Sequence, residues 1–348
     1  MRGIVDLRSD TFSLPDEGMR RAIYEAEVGN AGFAEDPAVN ALERECAAYF
    51  GQEDAVFLPS GTMAGQIAIA VRSRPGDLVA IEEHGHNHFF EAGSMATVSG
   101  TQALTVPGRR GLMASDDIRD SVDLARSHGG RVSLVVIENT SNFGGGTIYP
   151  TDAQERIFAL ASGLSLPVHV DGARVWNAIA ATGRAPSSFV APGGSISACF
   201  SKGLGAPMGS ILAGPSSFTE RARHVQLLLG GVMRQVGFMA AAALYALRVN
   251  MVRLAEDHAN CELMAEILAG NPAAELDLPA VQTNLLYFRV RGGSRKAERL
   301  LSLMADEGIL AFRVGDLVRL VTCLNVGKSD CEWAASRIDA LLRGDDPS

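Results

Sequence analysis

The sequence predicts an α/β protein: a large domain on a mostly parallel sheet, then a smaller α/β C-terminal domain. Two observations carry this. Short β-rich runs alternate with longer helix-like stretches, and polar residues collect where the apolar runs end. In chain order, "DAVFLPSG" (54–61) reads as strand then turn, and "TMAGQIAIAVRS" (62–73) continues as a helix. "DLVAIEE", "SLVVIENT" and "PVHVDGAR" each read as a buried strand ending in polar residues, where α/β sheets place ligands. "SDDIRDSVDLARSH", "TDAQERIFALASG" and "SSFTERARHVQLLLGG" read as helices with Ser or Thr near their starts. A long helix, roughly 238–269, leads out of this domain. Beyond it, "TNLLYFRV", a helix around 294–307 and "LVRLVTCL" form the smaller unit. The expected division is 1–245 and 246–348. No Pro/Gly-rich linker separates the two, so they should pack closely.

Composition narrows the function classes. The chain has 348 residues, 47% hydrophobic and 20% charged, as globular soluble proteins do. Its net charge of −9 argues against general binding to nucleic acid or anionic membranes. No uninterrupted apolar run reaches the roughly 18 residues needed to span a bilayer. The start, "MRGIVDLRSDTF", lacks the apolar core of a signal peptide. Five cysteines (46, 199, 261, 323, 331) form no CxxC pair and are odd in number, which fits a reduced cytoplasmic compartment.

One lysine stands apart. The chain has three, at 202, 296 and 328, against 28 arginines. Lys202 follows the mostly apolar "ISACFS" and precedes "GLGAPMGS". An ion pair at a strand end or a plain surface turn would account for it. So would chemistry: a desolvated lysine can lose its proton and form a Schiff base with a carbonyl, which arginine cannot. Asp171 and Arg174, in "VHVDGARVWN", lie about one helix and one strand earlier (202 − 171 = 31). Alone they read as a local ion pair. With Lys202 on a neighbouring strand end they match what pyridoxal phosphate requires: an amine for the aldehyde, an aspartate for the pyridine nitrogen, and an arginine fork for an amino-acid carboxylate. Ser60, Gly61 and Thr62 precede a helix and suit a phosphate, or simply cap a turn; Ser201 could add a contact. His84, His86 and His88 alternate as on one strand face, but no HExxH or cysteine cluster accompanies them, so no metal is expected. One imidazole stacked on a flat ring is the better use. "GLGAPMG" is G-x-G-x-x-x-G, not the dinucleotide loop, which argues against a nicotinamide cofactor.

These stretches, in this order, resemble the low-specificity L-threonine aldolases of the β-eliminating lyase family, which are fold-type I pyridoxal-phosphate enzymes. The resemblance runs from "VDLRSDTFSLP" through "EDPAVNALE", "FLPSGTMAGQ", "IENTSN", "HVDGARVWNA", "CFSKGLGAPMGS", "GGVMRQVG" and "EDHAN" to "VRLVT". It implies pyridoxal 5′-phosphate on Lys202, Asp171 as pyridinium partner, His86 stacked on the ring, and Gly61 and Thr62 on the phosphate. Ser9, Arg174 and Arg319 would grip the substrate carboxylate. Arg234 would reach the phosphate of a neighbouring subunit. His128, ten residues before Glu138, matches a family histidine near the substrate hydroxyl; its bare sequence reads as a solvated helix end. The reaction implied is cleavage of a 3-hydroxy-L-amino acid to glycine and an aldehyde, with His86 or His128 as base, in a homodimer or homotetramer with sites at subunit interfaces. Three positions depart from the family: Phe33 replaces a tyrosine, and Ser141 and Cys323 each replace a histidine. Rival readings are a β-eliminase or racemase on the same scaffold, an aminotransferase, and a non-catalytic cofactor-binding protein.

Overall fold

The period-two and period-3.6 stretches of the chain resolve into two larger sheets and two two-stranded ones, with helices packed on the larger pair. The computed structural model describes residues 3–344. β1 (Val5–Asp6) is followed by α1 (Glu17–Tyr24) and α2 (Pro37–Tyr49). Asp36 starts α2: its carboxylate accepts from the Ala38 and Val39 amides, and Pro37 follows where no amide donor is needed. Next come β2 (Asp54–Leu58), α3 (Gly61–Arg72), β3 (Leu78–Glu82), α4 (His86–Phe89) and β4 (Gln102–Val106). A hairpin, β5 (Gly108–Arg109) and β6 (Leu112–Met113), leads into α5 (Ser115–Ser127). Then β7 (Val132–Glu138), α6 (Thr151–Gly163), β8 (Val168–Gly172), α7 (Val175–Thr182), β9 (Ser195–Cys199), β10 (Ser210–Gly214) and α8 (Ser216–Leu228) follow.

The large sheet has the order β2-β10-β9-β8-β7-β3-β4. β4, β3, β7, β8 and β9 run parallel, and β10 alone opposes both of its neighbours. Every residue of β7, β8 and β9 is buried, because helices cover both faces of a parallel sheet. Their carboxyl ends therefore carry the first polar side chains the chain can present to a ligand.

α9 (Gly237–Tyr245) and α10 (Leu254–Ala269) form one helical rod of 33 residues, joined by a π turn at Ala246–Asn250 and a 3-10 turn at Met251–Arg253. The long helix expected there is present, interrupted at its middle. By length and mean hydropathy it could cross a membrane. Its apolar residues instead enter two cores: Ala240, Ala243 and Leu247 the first, Cys261, Met264 and Leu268 the second.

The second core belongs to a smaller unit of β11 (Ala274–Leu276), β12 (Leu285–Val290), α11 (Ser294–Asp306), β13 (Ile309–Leu310), β14 (Phe312–Val314), β15 (Leu317–Val321) and α12 (Lys328–Arg343). Its antiparallel sheet runs β11-β12-β15-β14. Alternation on the strands sends Leu286, Phe288, Val318 and Leu320 into that core. The first residues join the smaller unit. β1 pairs in parallel with β13, and Val5 and Leu7 pack in the second core, not the first. The apolar pair fills a strand edge there that would otherwise stay unpaired.

Candidate active site

Lys202 lies three residues beyond β9, in a turn that the Gly205 amide closes on the Lys202 carbonyl at 2.8 Å. Gly205 has φ +77°, a conformation glycine adopts freely. The lysine is half-buried, and its charge acts on both Asp10 and His86. Asp171, next to last on β8, is buried and pairs with Glu138 of β7 in register. Two carboxyls thus sit side by side at the ends of adjacent strands. Burial, then the Asp171 charge, pushes Glu138 up to about 7. Its two oxygens accept from the Asn142 amide (2.8 Å) and the His86 amide (3.0 Å), which ties the His86 turn to the sheet. His86 Nδ1 lies 3.0 Å from Glu91 Oε1. Burial lowers the His86 pKa, but Glu91, Asp171 and Glu138 outweigh it, and the net shift is upward. Sequence reasoning did not single out Glu138; its only signal is a polar residue closing the apolar run "VVIE".

The arginines expected on a carboxylate differ from one another. Arg174 is buried, and its Nε and Nη2 bind both oxygens of Asp10 at 2.8 and 2.7 Å. Burial would raise the Asp10 pKa, yet Arg174, helped by Lys202 and Asn284, brings it down to about 2. Two of the five Arg174 N–H groups are therefore taken by its own chain. Ser9 is buried beside this pair; its hydroxyl accepts from the Thr11 amide at 3.3 Å. Arg319, half-buried on β15, donates to Asn142 Oδ1 (3.3 Å) and the Arg8 carbonyl (3.0 Å), and pairs with no carboxylate among the described residues.

The helix N-terminus at α3 meets the same strand ends. Ser60 caps it, accepting from the Met63 amide at 3.2 Å. A Cβ at Gly61 would stand 2.5 Å from Cys199 Sγ, so only glycine lets α3 start this close to β9. Thr62 is exposed and Ser201 half-buried.

Other expected residues lie elsewhere. His128 caps the end of α5, exposed, its Nδ1 3.0 Å from the Leu124 carbonyl. It precedes β7, whereas Glu138 closes that strand, a separation of roughly 20 Å along the sheet. The structure does not bring it to Lys202 within the chain; the reading from its bare sequence is the one that matches. Arg234 is exposed and lines a cavity of about 580 Å³ with Phe33, between α2, edge strand β2 and α8. The three histidines do not alternate on a strand, because 86–89 form the short helix α4. His84 stacks on Phe143, ring centroids 4.4 Å apart. Both line a cavity of about 640 Å³ that Tyr287 also borders. Among the described residues, Glu82, Glu83 and His84 alone group closely enough to hold a metal, and Glu82 already accepts from the His84 amide at 2.7 Å. Ser141 is buried and holds the Gly144 amide at 3.1 Å; Cys323 is buried, its thiol pushed up to about 11.

Lys202 beyond one strand end and Asp171 near the end of the next stand side by side on the large sheet. Known proteins give the class. The family description "Beta-eliminating lyase" matches residues 6–291. The low-specificity L-threonine aldolase 1 of Arabidopsis thaliana is 35% identical, covering 99% of this chain and 98% of its own. The low specificity L-threonine aldolase of Escherichia coli is 35% identical over 97% of this chain and 99% of its own. In three dimensions, the Leishmania major threonine aldolase superposes with a TM-score of 0.84 at 18% identity, covering 97% of this chain and 99% of its own. An aspartate aminotransferase from Rhodobacter sphaeroides reaches 0.74 at 17% identity, covering 99% and 93%, and shares the fold. The chain belongs to the β-eliminating lyase family.

Proposed function

We propose that this protein cleaves 3-hydroxy-L-amino acids, L-threonine and L-allo-threonine among them, to glycine and an aldehyde, with pyridoxal 5′-phosphate. One observation carries the reading. Lys202 lies three residues beyond β9 and Asp171 near the end of the adjacent β8, and Arg319 on β15 pairs with no carboxylate among the described residues. The donor set fits the cofactor: Lys202 for its aldehyde, Asp171 for its ring nitrogen, and the α3 N-terminus with Ser60, Gly61, Thr62 and Ser201 for its phosphate. Gly61, pressed on Cys199, supports this, since a side chain there would fill the corner. When bound, the cofactor supplies an electron sink for the pair released as the Cα–Cβ bond breaks.

The chain's own residues do the rest. Asp171 keeps a proton on the ring nitrogen. Arg319 and Ser9 hold the substrate carboxylate, and Arg174, pinned by Asp10, offers its remaining N–H groups. His86, oriented through Nδ1 by Glu91, has its other ring nitrogen free to lie over the ring and take the β-hydroxyl proton. Glu138 sits within range to hold a proton nearby. Phe33 and Arg234, exposed and apart from Lys202, suit a site completed by a neighbouring subunit, in a homotetramer built as a dimer of dimers. Five free cysteines support a cytoplasmic location. We place the boundary between the large and small domains within the long helix.

The test is chemical. Purified protein given L-threonine should release glycine and acetaldehyde in equal amounts, and borohydride should fix the cofactor on the peptide carrying Lys202. Labelling of Lys296 or Lys328, or turnover without glycine, would overturn the assignment.

A further inference from the structure

Helix α3 buries a glutamine. In "AGQIAIAV" (64–71) Gln66 is the one side chain with a hydrogen-bonding group, and it is as buried as its apolar neighbours. A buried amide needs partners at both ends. Gln66 has one for its nitrogen alone: Nε2 donates to Glu91 Oε2 at 2.6 Å, while Oε1 has no hydrogen-bond partner among the described residues. Asn87 repeats the pattern. Its Nδ2 donates to Glu91 Oε1 at 3.1 Å, and its Oδ1 is likewise buried without a partner among the described residues. Only glycine at position 65 allows this approach, since a Cβ there would stand 2.4 Å from Asn87 Nδ2.

Two amides thus turn their nitrogens to one buried carboxyl and leave their oxygens stranded. Turning either amide over would set its oxygen against a carboxylate oxygen, acceptor to acceptor. The arrangement suits Glu91 as an anion. The Ser94 hydroxyl adds a donor at 3.4 Å, and His86 Nδ1 lies 3.0 Å from Oε1. Among the described residues no lysine or arginine pairs with Glu91; its ion-pair partner is His86. An ionised carboxylate facing the imidazole calls for Nδ1–H, which leaves Nε2 as the basic nitrogen. The charged groups around His86 are Glu91, Asp171, Glu138 and Lys202, and of these Glu91 hydrogen-bonds its ring.

We propose that Gln66 is a positioning residue for the reaction: with Asn87 it holds Glu91 as an anion, in the orientation that keeps a proton on His86 Nδ1 and frees Nε2 to take the β-hydroxyl proton. This rests on the reading of His86 above and carries it back to a helix whose sequence reads only as apolar. The proton passes from the substrate oxygen to Nε2. Nδ1 keeps its own, and Glu91 stays ionised beside the imidazolium.

The experiment compares the wild-type, Gln66→Leu and Gln66→Glu holoenzymes. Leucine keeps the bulk and removes the donor. Glutamate sets a second carboxyl against Glu91, and two so close share one proton. While that proton is held, the new carboxyl donates as the amide did; once it leaves, the donor is gone. Cleavage of L-threonine is followed across pH. Proton NMR of the same holoenzymes follows the far-downfield signal of an imidazole N–H on a carboxylate, assigned by its loss in His86→Phe. Gln66→Leu should lower kcat about ten- to a hundredfold with KM little changed, as loss of one hydrogen bond to a charged group predicts. Its downfield signal should disappear. Gln66→Glu should match the wild type in both readouts at the acid end of the profile and fall away from it as pH rises. A packing role alone would give a deficit that ignores pH. Unchanged kcat and downfield signal in Gln66→Leu, or a Gln66→Glu rate whose ratio to the wild type is the same at every pH, would overturn the assignment. The aldolase reading fails separately, if the wild type makes no glycine from threonine; the downfield signal still reports on Gln66 in that case.

Discussion

The end of β8 and the middle of β15 each carry an arginine withdrawn from solvent, and the two differ in what closes the charge. At β8, Arg174 is gripped by both oxygens of Asp10, a residue with no exposed surface. At β15, Arg319 meets only neutral acceptors, an amide oxygen and a backbone carbonyl. The first is a finished ion pair that ties the N-terminal segment to the large sheet. The second keeps a net positive charge. A cation sheltered without a counter-ion is costly, so a fold keeps one where a ligand brings the anion. Residue type is the same at the two sites, Arg174 following β8 by two residues and Arg319 standing mid-strand; the partner sets them apart.

The comparison can be broken in three places. The largest expected effect is on stability. Asp10→Ala leaves the Arg174 guanidinium buried and unpaired, which should cost roughly 3–5 kcal/mol in urea unfolding. A loss below about 1 kcal/mol would mean that Arg174 finds another partner and that the pair is not structural. Next, Arg319→Ala should barely move the unfolding midpoint but lower kcat/KM for L-threonine by about 2–4 kcal/mol, some thirty- to a thousandfold. If stability fell instead and turnover survived, the two arginines would have exchanged their roles. The smallest effect belongs to the exposed pair Arg156–Asp152, one helical turn apart at 2.6 Å. Asp152→Ala should leave the midpoint unchanged, since water screens such pairs. That variant calibrates how much an arginine–carboxylate contact matters once burial is removed.

Sequence made local features plain and non-local ones opaque. The strands at 54–58, 78–82, 132–138 and 168–172 are short apolar runs with polar ends, and the helices at 115–127 and 151–163 begin close to where Ser115 and Thr151 stand. Lys202 stood out because lysine is rare in this chain and its surroundings are small and apolar. The Asp10–Arg174 pair did not, because its partners are 164 positions apart. Arg174 sits three residues from Asp171, and nothing in that spacing announces Asp10 as its partner. Glu138 was missed for the same reason: it looks like one more residue of a strand until the register sets Asp171 opposite it. β10 reads as another apolar run, and nothing in "SILAG" announces that it runs against its neighbours. His128 shows the converse. Its resemblance to a family position pointed to the site, while its polar, glycine-flanked setting matched the exposed helix end it occupies.

The chain passes between its two cores twice. The first passage, between Leu7 and Met19, carries Ser9 and Asp10; the second is the rod from Gly237 to Ala269. Arg174 is anchored to the first passage through Asp10, and Arg319 touches it through the Arg8 carbonyl. One short segment thus acts as a common ruler for both guanidinium groups. Were the smaller unit to swing about the π turn in the rod, Arg319 would travel with β15 while Arg174 stayed with β8, and the segment between would be stretched or slackened. The spacing of the two cations is a readout of the angle between the halves of the molecule. A distance label on each half would report the same coordinate from outside.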